Sequence, residues 1–388
     1  MGDPLLNGDI DLAVVLIVLL KTFVTFAVLM VAVLFMVWFE RKVISDMQNR
    51  IGPNRAGPWG ILQTLADGIK LFFKEDLLPE RADRRIFRLA PYLSVVPAFL
   101  SFAIVPIGGV VSVFGHQTRM QLADPPIGIL FLLAMSSVAV YGVMLAGWSS
   151  GSKYPLLGSV RASAQMVSYE AALGLVVATV VLVSGSLYTS QIVDEQAGNV
   201  ANWNLIRLGV LPFFLFLIAA TAELNRPPFD LVEAEQELVG GFHTEYSSIR
   251  FALFFLAEFM NTVTMSGIIV TLFLGGPRAP FGWGEDIGGV VGTWLLPVFW
   301  FVLKLFLFLF TYVWFRATLP RLRYDQLMDL GWKALIPASL AWLLVIAAIT
   351  IERSYLLIAF PVLVLGAAML YRSLALGKAT VQEEDLHA

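Results

Sequence analysis

Long apolar runs separated by polar, charged loops dominate the pattern of this chain. A helix that crosses a bilayer needs about 20 mostly apolar residues, and nine runs approach or exceed that length. We therefore predict nine membrane-spanning helices, of which the fifth is short and the last two form a tight hairpin. The predicted spans cover residues 12–39, 89–114, 127–148, 164–183, 208–222, 249–274, 290–315, 335–351 and 355–371.

The composition supports a membrane protein and excludes several chemistries. Of the 388 residues, 58% are hydrophobic and 14% are charged, and the mean hydropathy is +0.78. Soluble domains are about 25% charged, so the expected fold is a single all-α polytopic membrane domain over residues 1–388. The chain has no cysteine and three scattered histidines, so we predict no disulfide, iron–sulfur or other metal site. It also lacks a glycine-rich phosphate motif, which argues against a nucleotide site.

The basic residues predict an orientation. Twenty of the 26 Lys and Arg residues fall in one alternating set of loops, and Lys21 and Lys304 lie within spans. The other four are Arg119, Arg207, Arg278 and Arg353. Because Lys and Arg accumulate on the cytoplasmic side of a membrane, we expect the N-terminus outside and the C-terminus inside.

Two of the inside loops have the features of functional segments. The first, residues 40–88, is long for a connector. Within it, Trp59, Leu62, Leu65, Ile69 and Phe72 recur at helical spacing, a pattern typical of an amphipathic helix lying on the membrane surface. The pattern alone leaves two roles open for this helix, which are membrane anchoring and lining of a ligand site.

Ionisable residues inside spans are costly and mark functional sites by default. Glu170 and Glu258 lie within the predicted fourth and sixth spans, and Glu40 and Glu223 close the first and fifth. Each carboxylate could hold helices together in a buried ion pair. A proton relay is the alternative, and we favour it for Glu170 and Glu258 because no basic residue is nearby in sequence.

The second inside loop, residues 223–247, is strongly acidic. Its six carboxylates face one arginine, Arg226. A solvated acidic loop is the ordinary interpretation. However, Pro227 and Pro228 interrupt the backbone next to a short span, and bulky apolar residues alternate with the acids. Irregular backbone at membrane depth is tolerated where it lines a cavity or is buried in protein, so we favour a buried polar channel.

Several loop motifs resemble a known family. They are Glu40-Arg41-Lys42, the run Gln48–Arg55, Ala66–Phe72, Ser168-Tyr169-Glu170, the ten-residue run Ala222–Leu231 and Arg323–Leu327. Together they resemble the quinone-chamber subunit of respiratory complex I, the NADH:quinone oxidoreductase. This is the H subunit of the bacterial enzyme and subunit 1 of the mitochondrial enzyme. The same wider family includes the equivalent subunit of energy-converting hydrogenases.

The resemblance implies roles for two groups of residues. The residues expected in or near a quinone chamber are Arg41, Asp67, Lys70, Arg226, Phe229, Asp230 and Arg316. Those expected to form an acidic proton path from the chamber into the membrane are Glu40, Glu170, Glu223, Glu233, Glu235, Glu237 and Glu258.

The resemblance also implies the setting of the chain. It would bind no cofactor of its own, with FMN and iron–sulfur clusters on partner subunits and quinone as the substrate. Its partners would be the peripheral quinone-site subunits and the small membrane-arm subunits in the bacterial inner membrane, with no nucleic acid. The alternatives are the hydrogenase subunit and a stand-alone proton or cation transporter.

Overall fold

The computed structural model of the chain describes residues 3–6, 11–231, 239–283 and 288–352, together with Tyr355 and Pro361. Glu233, Glu235 and Glu237 of the acidic loop lie outside the described residues. Nearly all of the predicted ninth span, residues 355–371, also lies outside them.

The described residues are mainly helical. Six helices are long and apolar enough to cross a membrane, and Val210–Glu223 is a shorter apolar helix. The helices are α1 Leu12–Met47, α2 Gln63–Phe73, α3 Arg84–Phe102, α4 Gly128–Ser149, α5 Lys153–Ser184, α6 Thr189–Glu195, α7 Asn204–Arg207, α8 Val210–Glu223, α9 Ser248–Phe273, α10 Leu296–Thr318, α11 Tyr324–Asp329 and α12 Ile336–Ile351. Wide π turns at Val291–Leu295 and Leu330–Leu335 precede α10 and α12. The all-α polytopic fold class is thus confirmed, while the number of spans and their orientation stay predictions.

Two of the long helices extend beyond the predicted spans. Helix α1 continues past Phe39 to Met47, and α5 begins at Lys153 rather than near residue 164. Glu40 and Arg41 therefore lie on a rigid helix, whereas the sequence pattern places Arg41 in a loop. Hydropathy identifies the apolar part of a helix that lies in lipid. It does not show how far the helix continues beyond that apolar part.

The second predicted span differs most from the structure. Its helix α3 begins earlier, because Asp83 caps it by accepting hydrogen bonds from the backbone N–H groups of Arg85 and Ile86 at 3.0 and 3.3 Å. The helix ends at Phe102. Residues 110–113 and 116–119 then form an antiparallel hairpin, β1–β2, with Val110 opposite Arg119. The predicted span includes the apolar strand because a short apolar run has no distinguishing period.

The β1–β2 hairpin is attached to α1 through Asp3, which forms a partly buried ion pair with Lys21. Lys21 Nζ of α1 lies 2.5 Å from Asp3 Oδ2 and donates to Thr118 Oγ1 of β2 at 2.9 Å. The backbone N–H of Arg119 donates to the same aspartate at 3.1 Å. This contact fixes the hairpin over the N-terminal part of α1.

Helix α9 lies at the centre of the molecule and is the most deeply buried of the long helices. It packs on α3, α10 and α1, while α5 packs on α4, α8 and α12. Lys304 of α10 donates to the carbonyl groups of Leu274, Gly276 and Arg278, at 2.6, 3.0 and 2.6 Å, just after the end of α9. It therefore satisfies backbone groups at a helix end, which accounts for a buried lysine.

Candidate functional site

A buried ion-pair cluster forms where the C-terminal part of α1 meets α9 and α10. The Glu40 carboxylate accepts a hydrogen bond of 2.7 Å from Arg226 Nη1 and another from Arg316. The side chains of Glu40 and Arg226 are 5% and 3% exposed, whereas that of Arg316 is 40% exposed. Arg226 Nε also lies 3.3 Å from Glu258 Oε1 of α9, and its guanidinium stacks over the Phe259 ring. One arginine thus joins two acids predicted for the path.

A cavity of about 600 Å³ opens beside this cluster. Glu40, Arg41, Glu258 and Arg316 lie on its wall. Arg41 Nη1 also binds Asp67 Oδ2 of α2 at 2.6 Å, which places the amphipathic helix next to the cavity. The wall therefore carries charged side chains from α1, α9 and α10. Apolar side chains and residues 51–53 of the first loop form other parts of it.

Glu258 connects this cavity to a smaller one inside the helix bundle. The smaller cavity, of about 70 Å³, is lined by Glu258, Glu223, His243 and Asn261. Glu223 in turn lines a third cavity, of about 20 Å³, that reaches Ser136 on α4. Polar residues thus line a series of small spaces from the outer cavity toward the centre of the bundle.

Two adjacent serines on α4 bind the innermost acids. The Ser136 hydroxyl donates to Glu223, and the Ser137 hydroxyl donates to Glu170 of α5. Glu223 is buried, and Glu170 is partly buried. Unlike Glu40 and Glu258, these two carboxyls have no ion pair with a basic side chain among the residues that the structure describes. No basic residue lies near Glu170 or Glu258 in sequence, but in the structure Glu258 pairs with Arg226, which is distant in sequence.

Of the seven predicted chamber residues, Arg41 and Arg316 lie on the wall of the 600 Å³ cavity. Arg226 and Asp67 bind the wall residues Glu40 and Arg41, whereas the other three do not line the cavity. Asp230 is buried and binds Arg321 Nη2 at 3.1 Å. The Phe229 ring packs 5.6 Å from that of Tyr169. Lys70 is exposed on α2. The structure thus brings Arg41, Asp67, Arg226 and Arg316 together and leaves these three outside that group.

Sequence reasoning missed several residues that bind the acids or line a cavity with them. The Ser136-Ser137 pair is a detectable signal, because two neighbouring hydroxyls interrupt an otherwise apolar span. Asn261 follows Glu258 by three residues and so shares its helix face. His243 gave no signal beyond its position in the acidic loop. Burial lowers the pKa of His243 to about 4, although Asp230 acts in the opposite direction, so its ring is neutral near pH 7.

This arrangement suits proton movement more than covalent catalysis. Within the described part of the chain, no group of three or more His, Asp and Glu side chains could hold a metal ion. The site instead offers fixed charges around a cavity, followed by carboxyls bonded to hydroxyls. A polar molecule that gains charge in the cavity would change the electrostatic field on Glu40 and Glu258 directly.

Comparisons with known proteins agree with this geometry. The family model for NADH dehydrogenase matches residues 20–347. The chain is 55% identical to the H subunit of the NADH-quinone oxidoreductase of Frankia alni, over 90% of this chain and 76% of that protein. It is 52% identical to the corresponding protein of Streptomyces avermitilis, which has the same name, over 87% of this chain and 74% of the other. The chain therefore belongs to the NADH dehydrogenase family.

Proposed function

We propose that this chain is the quinone-chamber membrane subunit of a proton-pumping NADH:quinone oxidoreductase, complex I. The relatives carry the name of a subunit of that enzyme, and neither a hydrogenase subunit nor a lone transporter is favoured. The observation that carries the mechanism is the continuity from a charged cavity at Glu40 to the serine-bound acids Glu223 and Glu170.

The 600 Å³ cavity forms this chain's part of the quinone chamber. Its apolar wall residues accommodate a hydrophobic ring and tail, and its arginines stabilise the negative charge that appears when a quinone gains electrons. Arg41, Asp67, Arg226 and Arg316 hold this charge pattern around Glu40. Lys70, Phe229 and Asp230 complete the chamber at the interface with the peripheral subunits.

The acids then carry the electrical change into the membrane. Reduction of the quinone draws protons, which alters the field on the Glu40–Arg226–Glu258 ion pairs. Glu223 and Glu170 respond next by changing protonation, because hydroxyl partners bind them where ion pairs do not. Glu233, Glu235 and Glu237 extend the path from the acidic loop.

The setting follows from the same assignment. The chain contributes no redox centre, so FMN and the iron–sulfur clusters belong to partner subunits. Its two polar inside loops bind the peripheral quinone-site subunits, and its lipid-facing helices lie beside the small membrane-arm subunits. The complex resides in the bacterial inner membrane.

The proton-to-electron ratio of the whole complex tests the path. We expect Glu223→Gln to leave the complex assembled and to reduce proton translocation per NADH oxidised, measured in proteoliposomes with a pH-sensitive dye. The matched control is Glu195→Gln, since Glu195 lies at the C-terminal end of α6, pairs with Arg207 at 3.9 Å and lines none of the three cavities. An assembled Glu223→Gln complex with the wild-type ratio would refute a role for Glu223 in the path.

A further inference from the structure

A separate pair of cavities lies at the other end of α1 and α10 from the Glu40 cluster. The first, of about 350 Å³, is lined by the β1–β2 hairpin, α6 and the π turn before α10. The second, of about 340 Å³, lies between α1, the hairpin and the same π turn. Both have Arg119 and Gln121 on their walls, so they meet at the C-terminal end of the hairpin.

The first cavity has a positively charged wall. Asp194 of α6 bridges two arginines, with Oδ2 lying 3.0 Å from Arg119 Nη2 and Oδ1 lying 2.9 Å from Arg278 Nη2. Its described wall residues thus carry two guanidinium groups and one carboxylate. Asp124 lies behind that wall, where it accepts a hydrogen bond of 2.5 Å from Ser190.

Buried polar atoms without partners also occur on this wall. Arg119 Nε and Trp300 Nε1 are buried donors that have no hydrogen-bond partner among the described residues. Gln121 Oε1 is a buried acceptor that likewise has no partner among them. Gln121 itself is 4% exposed. Because a buried unsatisfied group costs free energy, these atoms indicate a ligand that accepts hydrogen bonds from Arg119 and Trp300 and donates one to Gln121.

The second cavity differs in chemistry. Val24 and Val28 of α1, Phe102, Ile107 and Val298 give it an almost wholly apolar lining. An apolar groove that meets a cationic, donor-rich cavity fits an amphiphile with an anionic head and a hydrocarbon chain.

From this juxtaposition we propose that the two cavities together bind one anionic phospholipid. Its phosphate lies against Arg119, Arg278 and the Trp300 indole N–H, head-group hydroxyls lie near Gln121, and one acyl chain occupies the groove against α1. Phospholipids surround a membrane protein at all times. The two guanidinium groups on the wall favour an anionic lipid over a zwitterionic one, because a zwitterionic head group carries its own positive charge.

Photo-crosslinking in the intact complex tests this site. The probe is phosphatidylglycerol with a diazirine in one acyl chain, and the readout is mass spectrometry of the peptide containing Trp294 and Val298. We expect the probe to label this peptide in the wild type and to label it at least about tenfold less in the Arg119→Gln/Arg278→Gln variant, because charge-assisted hydrogen bonds are lost. The matched control is Arg207→Gln, an arginine on α7 that lines neither cavity and is expected to leave the labelling unchanged.

Four further measurements separate the alternatives. Trp300→Phe keeps an aromatic ring, although a smaller one, and removes the indole N–H, so it should weaken labelling even if the double variant fails to assemble. Equal labelling by a phosphatidylcholine probe, or loss of labelling when inorganic phosphate is added, would overturn the proposal in favour of non-selective lipid or a free anion. If the cysteine of a Thr293→Cys variant stays protected from maleimide after delipidation, the lipid proposal is overturned in favour of a protein partner. No other cysteine of this chain can react, because the native chain has none.

Discussion

The Glu40 cluster gives the sharpest quantitative prediction. Glu40→Gln removes the carboxylate that binds both Arg226 and Arg316 and leaves the Arg226 guanidinium, 3% exposed, without its shortest ion pair. Breaking one side of a buried ion pair costs about 3–5 kcal/mol. Because Glu258 still lies 3.3 Å from Arg226 Nε, we expect the lower end of that range, about 3 kcal/mol.

The exposed ion pair between Arg316 and Glu40 provides a comparison for the Glu40→Gln variant. Arg316 is 40% exposed, so water screens its attraction to Glu40, and Arg316→Gln should cost about 1 kcal/mol or less. The double variant Glu40→Gln/Arg226→Gln should lose less stability than the two single variants added together, because residues in one ion-pair network are not additive.

The assay is heating of the purified complex followed by a native gel that shows when this chain dissociates. This readout is independent of activity, which matters because Glu40 also belongs to the proposed path. We expect the dissociation temperature to fall most for Glu40→Gln and least for Arg316→Gln. Equal shifts for the two variants, or no shift for Glu40→Gln, would show that the buried pair with Arg226 does not hold this region together.

Three other predictions concern the inner acids and the acidic loop. Ser136→Ala/Ser137→Ala should reduce protons pumped per electron, whereas Ser184→Ala, which removes a hydroxyl bonded to the Val180 carbonyl, should not. Because the folded pKa of His243, about 4, is below its unfolded value, stability should fall from about pH 6.5 toward pH 4, by at most about 1.4 kcal/mol per pH unit. His243→Asn should flatten that loss in a melting series over pH. Glu233→Gln/Glu237→Gln should impair pumping in an assembled complex, and a normal stoichiometry would contradict this.

The fold class was predictable because its signal is local. Apolar runs of membrane length and the helical spacing of apolar residues from Leu62 to Phe72 each identify a helix without any knowledge of its neighbours, and α2 does form at Gln63–Phe73. The β1–β2 hairpin was not predictable in this way, since its apolar residues follow α3 directly. Asp83 is a residue type that caps helices, but the span predicted from hydropathy starts at residue 89 and does not use it.

The partners of the acids were not predictable from local pattern. Glu40 binds Arg226 and Arg316, which are 186 and 276 residues away in sequence, so only the packing of α1 against α10 and against the segment after α8 reveals the pairs. The same holds for Ser136 and Ser137, because their hydrogen bonds to Glu223 and Glu170 form only when α8 and α5 lie beside α4. Sequence reasoning could identify the acidic residues that are costly to bury in a membrane. It could not show which of them form an ion pair and which bind a hydroxyl group.

That assignment divides the acids into two functional kinds. An ion-paired carboxylate such as Glu40 loses its partner's attraction when it is protonated, so its charge is held in place. A serine hydroxyl can donate to a carboxylate and can equally accept from a carboxylic acid, so Glu170 and Glu223 keep a hydrogen bond in both protonation states. The proposed path uses both kinds: the fixed charge beside the cavity would sense the new charge, and the carboxyls deeper in the bundle would move the proton.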